Sequence, residues 1–98
     1  MATDTTVAHT ILAQLGGRRF RTMTGATNFI AYPDSLVFEL PRNHRKIFKV
    51  VVRLTPLDVY TMEFWQRNSV EPSEVAPNIF NEDLEEVFTR HTGLYTRL

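Results

Sequence analysis

The chain has 98 residues, 43% hydrophobic and 22% charged, with eleven basic side chains balanced by eleven acidic ones and no cysteine. That length supports one domain around one core, and the absence of cysteine excludes disulfides, thiolate metal sites and cysteine nucleophiles. Met1 to Thr6 has neither a basic nor an apolar leader region, and no apolar run nears the about 18 residues of a membrane span, so a cytoplasmic protein without a membrane segment is expected.

Taken in chain order, Val7 to Leu15 reads as a first helix. Thr5 or Thr6 offers a hydroxyl cap, Val7, Ile11, Leu12 and Leu15 form one stripe, and Gly16-Gly17 ends it. Arg18-Arg19-Phe20-Arg21 then opens an extended segment to about Tyr32, with Gly25 as a bend or bulge. Pro33-Asp34 is a turn signal.

Three segments of alternating character follow. Leu36, Phe38 and Leu40 oppose Val37 and Glu39; Phe48, Val50, Val52 and Leu54 oppose Ile47, Lys49, Val51 and Arg53; Tyr60, Met62 and Phe64 oppose Val59, Thr61, Glu63 and Trp65. The polar, basic stretch Pro41 to Lys46 and the turn Thr55-Pro56-Leu57-Asp58 link them. Arg67 to Pro77, with two prolines and no sustained period, reads as a loop or a short edge strand.

The last helix starts near Asn78 or Asn81. It carries Glu82, Asp83, Glu85 and Glu86 in its first turns, turns Leu84, Val87, Phe88 and His91 inward, and ends at Gly93 with Leu94 as an apolar contact. The expected fold is therefore α+β, in the order α-β-β-β-β-α. An antiparallel sheet of four strands, or five if 67–77 adds an edge, is flanked by an N-terminal and a C-terminal helix packed on one face.

Catalytic and metal constellations are not evident. His9, His44 and His91 show no ligand spacing, and Ser35, Ser69 and Ser73 lack the setting of a nucleophile elbow. The Glu82–Glu86 carboxylates suit a helix start rather than a site, and Gly16-Gly17 follows a helix where a phosphate cradle would open one. No cofactor and no enzymatic activity are expected.

Charge and apolar surface say more. Residues 1–55 carry eight Lys and Arg against three Asp and Glu, and residues 56–98 carry three against eight. Arg18, Arg19, Arg21, Arg42, Arg45 and Lys46 make a candidate phosphate-binding set, with His44 in the same basic loop. The second sheet face, with Val37, Val51 and Trp65, is more apolar than a solvated face needs. Either the 67–77 segment covers it or another protein does, a second copy of the chain included. Trp65, Val51, Val37, Arg42, Arg45 and Lys46 are the candidate partner-binding residues.

The element order also resembles the double-stranded RNA-binding fold. That family grips phosphates with lysines at the start of its last helix, where this chain has Glu82-Asp83-Leu84-Glu85-Glu86, so the match fails.

A different resemblance rests on two stretches. They are Leu15-Gly16-Gly17-Arg18-Arg19-Phe20 with Met23-Thr24-Gly25-Ala26 and Asn28-Phe29, and Val87-Phe88 with Thr92-Gly93-Leu94-Tyr95-Thr96-Arg97-Leu98. Together they resemble a group of small, uncharacterised proteins encoded by bacteriophages and prophages. The resemblance implies a mobile-element origin in a bacterial host and transfers no site. Function is then expected to be docking on a host or phage protein, with inhibition of a host defence complex of CRISPR or restriction type as one form. Nucleic-acid binding through the basic N-terminal half is the alternative.

Overall fold

The alternation over 35–65 forms the centre of a five-stranded antiparallel sheet in the computed structural model, which describes residues 4–96. Residues 1–3, where no leader is expected, and Arg97-Leu98 of the C-terminal motif lie outside the described residues. Helices α1 (Thr6–Leu15) and α2 (Arg18–Thr24) come first. Strands β1 (Thr27–Tyr32), β2 (Ser35–Glu39), β3 (Lys49–Leu54), β4 (Tyr60–Trp65) and β5 (Glu74–Ile79) follow, then a 3-10 turn (Asn81–Asp83) and α3 (Leu84–Thr92). The strands lie side by side in chain order.

The α+β class, the antiparallel sheet and its flanking helices agree with expectation; the element order does not. Arg18–Thr24 is a helix where an extended segment was expected. Phe20 and Thr24, one turn apart, are both buried, and the Thr24 hydroxyl donates back to the Phe20 carbonyl at 2.7 Å. The Phe20 ring meets Phe38 and Phe88 edge to face, 5.3 and 5.1 Å between centroids, and that burial outweighs the extended reading of a short, cation-rich segment. Gly25 is accordingly the left-handed ending of α2, and the irregularity in β1 falls between Thr27 and Ile30, beside left-handed Asn28.

The 67–77 segment supplies the start of the fifth, edge strand that the sequence allowed, and a second correction concerns its boundaries. Its last residues enter β5, paired to β4 from Glu74↔Phe64 to Ile79↔Tyr60. Pro77 and left-handed Asn78 sit in the irregular part of that pairing, devices that blunt an edge strand. Asn78 thus belongs to β5 and does not cap a helix, and Asn81 begins the 3-10 turn ahead of α3.

A third correction is local. Parity places Phe48 inward and Ile47 outward, yet Ile47 is in the core and Phe48 is half-buried, because regular pairing begins only at Lys49. Val59 likewise precedes β4 and lies in a cleft beside Thr6, Val7 and Thr10 of α1.

One core joins the three helices to the inner sheet face. It includes Ile11, Leu15, Phe20, Phe38, Val50, Val52, Met62, Phe64, Leu84 and Phe88. The N-terminus of α1 is closed by a carboxylate in place of a threonine hydroxyl: Asp4 Oδ1 accepts the Thr6 N–H at 2.9 Å, which holds the Asp4 carboxyl below its ordinary value. At the other end of the chain, α3 stops at left-handed Gly93, with Leu94 packed against the core, as its sequence predicts. His91 stacks on the Phe64 ring at 4.7 Å and its Nδ1 lies 2.6 Å from Glu74 Oε1, tying α3 to the start of β5.

Candidate interaction surface: the basic end of the sheet

The polar stretch between β2 and β3 is held as a rigid loop by one side chain. Asn43 Nδ2 donates to the Pro41 and Ile47 carbonyls, each at 2.8 Å, while its Oδ1 accepts the Ile47 N–H at 3.1 Å. The Lys46 N–H reaches back to the Asn43 carbonyl at 3.1 Å, and Lys46 adopts a left-handed φ of 58°. Burial of Ile47 then fixes the loop to the core, and the cations between have no core to enter.

The loop meets the far end of β4. The Phe48 N–H donates to the Trp65 carbonyl at 2.7 Å, and Gln66 Nε2 donates to the Arg45 carbonyl at 3.2 Å. The Arg67 guanidinium lies 4.0 Å from the centre of the Phe48 ring. Between these segments is an open cleft of about 720 Å³ whose lining includes Arg42, His44, Lys46 and Arg67 and no carboxylate. Arg45 projects beside it, exposed. On the adjoining strand Lys49 Nζ sits 4.8 Å above the Trp65 ring.

The outer face next to this cleft is less greasy than its sequence implies. Ile30, Val37, Val51, Glu63 and Val75 stand in one row across all five strands. Val51, at the centre, is only 8% exposed. Charged side chains close over the row: Arg53 pairs with Glu63 at 3.2 Å, Trp65 Nε1 donates to Glu63 at 3.1 Å, and the stems of Lys49 and Arg53 flank Val51 along β3. The expectation of a bare apolar centre needing a cover is therefore corrected. Apolar exposure survives at the flanks, where Ile30, Tyr32 and Val75 are about half exposed.

The candidate residues consequently separate into groups. Arg42, Arg45 and Lys46 come together, with Trp65 one strand away; Val37 and Val51 lie along the same face, set back from the cleft. Arg18, Arg19 and Arg21 belong to α2 on the helical side of the sheet: Arg19 approaches Glu85 of α3 at 4.0 Å, and Arg21 covers the Phe29 ring at 5.2 Å. Sequence reasoning missed Arg67, Lys49 and the Asn43 clamp. Arg67 and Lys49 join the basic end only through the β3–β4 register, whereas the clamp was readable as an Asn opening a polar loop.

Among the described residues, no group of three or more His, Asp and Glu side chains is placed to hold a metal ion, and no helix is long and apolar enough to cross a membrane. Comparison with family models, curated proteins and solved structures finds no match for this chain.

Proposed function

We propose that this chain is a non-enzymatic binding protein of bacteriophage or prophage origin, and that its working surface is the basic end of the sheet, which engages a nucleic-acid backbone. The observation that carries this reading is the cleft lined by Arg42, His44, Lys46 and Arg67 without a carboxylate among them. Cations confined to one rigid loop and one strand end present a fixed array to phosphates.

The aromatic rings beside the cleft refine the mode of contact. Phe48 is already capped by Arg67, and Trp65 by Lys49. One face of each ring is already occupied by a cation, which favours contact with phosphate over base stacking and makes it insensitive to sequence. An electrophoretic shift of short mixed-sequence DNA should appear at low salt, weaken steeply with added salt, and vanish in an Arg42→Glu, Arg45→Glu variant. Absence of any shift at low salt overturns the reading.

Docking on a host protein is the second reading, with inhibition of a CRISPR or restriction complex as its form. The half-exposed Ile30, Tyr32 and Val75 at the flanks of the outer face favour it. Phage plaquing on a host carrying an active defence system should rise when the chain is expressed, and the gain should be lost in an Ile30→Asp, Tyr32→Asp variant. Plaquing that never changes removes this reading.

A further inference from the structure

The two ends of the sheet differ in charge, with Glu39 and Glu74 at the basic end engaged by Asn28 and His91. At the end away from the basic loop, a second cleft of about 640 Å³ lies between α1, the β3–β4 turn and the residues after β5. Asp58 lines it, and no cationic side chain does. Asp4 bonds to Thr6 of its wall, the Asp34 backbone carbonyl accepts the Leu54 N–H at its floor, and Glu82 and Asp83 follow Asn81 at its rim. Arg53, the cation nearest this end on β3, is engaged by Glu63. Two apolar side chains stand clear of this acidic surface: Leu57 is 80% exposed and Phe80 is 60% exposed. The basic cleft at the other end has Leu40, Pro41 and Ile47 beneath its cations. At about 3.4 Å per residue, the six residues of β3 set the two ends roughly 17 Å apart.

We infer that the chain associates head to tail with a second copy of itself, the acidic end of one molecule carrying Leu57 and Asp58 into the basic cleft of the next. Charge complementarity selects this occupant: the surface that fits Arg42, Lys46 and Arg67 is present on the same chain, with apolar prongs matched to an apolar floor. Two different patches meet, so the contact is heterologous and each added copy leaves both kinds of end free. Growth is held together by charges near the surface and is therefore sensitive to salt. The inference does not rest on nucleic-acid binding. Because phosphates and the acidic end would use the same cations, an oligonucleotide displaces a neighbouring copy.

Sedimentation velocity of the full chain, without nucleic acid, tests it. At about 0.1 M salt the mean mass should rise with protein concentration, and at about 1 M salt, where the screening length falls to about 3 Å, it should return to that of the monomer. An Arg42→Glu, Arg45→Glu variant and an Asp34→Lys, Glu82→Lys variant should each stay monomeric alone, yet associate when mixed in equal amounts. That recovery also shows that both remain folded. A wild-type chain monomeric at every concentration, association that persists in either variant alone or at about 1 M salt, or a mixture that stays monomeric overturns the inference, whatever the DNA shift shows.

Discussion

Two glycines with nearly the same backbone conformation separate strain from crowding. Gly25 and Gly93 end α2 and α3 with φ of 73° and 76°. A Cβ at Gly93 would meet nothing within 4 Å, whereas one at Gly25 would lie 3.1 Å from Pro41 Cγ. Gly93→Ala should therefore cost about 1 kcal/mol, the left-handed penalty alone. Gly25→Ala should cost at least about 1 kcal/mol more, because the Pro41 ring must also shift. Urea denaturation of both variants checks the order, and equal losses would contradict it. Tyr60 gives a prediction in pH. Burial pushes its hydroxyl up from the ordinary value of 10.0, and the Asp58 carboxylate adds to the shift. A proton held more tightly in the folded state contributes stability that is present below the unfolded pKa and is lost as pH rises through the folded one. Melting temperature should fall on the alkaline side of about pH 10, and Tyr60→Phe should flatten that part of the curve. An identical alkaline fall in the variant would contradict this assignment.

Among the elements, the loop between β2 and β3 matters most to the proposed surface, and Asn43 is its keystone. Asn43→Ala removes three hydrogen bonds and should cost about 2 kcal/mol. Amide exchange at Lys46, Ile47 and Phe48 should quicken while the core of β3 stays protected. Unchanged exchange there would mean that the loop is held by Ile47 burial alone. The legibility of elements follows how many buried positions each repeats. Strands β2 to β4 were readable because Leu36, Phe38, Val50, Val52, Met62 and Phe64 alternate over several residues. Helix α2 was not, since Phe20 and Thr24 are its only buried positions and two points fix no period. Strand β5 was only half readable, its sequence Glu-Val-Ala-Pro-Asn-Ile interrupted by Pro77 and paired on one side alone. The site follows the same logic. Arg42, Arg45 and Lys46 adjoin in sequence and stay together in space, while Arg67 joins them through the pairing of Phe48 with Trp65. The α2 arginines were grouped with the loop on charge alone, and the helix carries them to the other side.

For the whole molecule, the formal charge of zero conceals a separation along the strands. Basic side chains gather at the end holding the 41–48 loop and Arg67, and Asp4, Asp34 and Asp58 gather at the other. Glu63 and Arg53 neutralise each other between them. A surface divided in this way steers a polyanion to one end and repels it from the other, so the proposed binding needs no net positive charge. The central claim is that the loop end alone grips the phosphates. Its most direct test is the slope of log Kobs against log salt for a short duplex, measured by fluorescence anisotropy. Arg42→Ala should lower the magnitude of that slope by about 1, because one phosphate is no longer neutralised, and Arg18→Ala should leave it unchanged. A slope lowered by the Arg18 change and untouched by the Arg42 change would contradict the account.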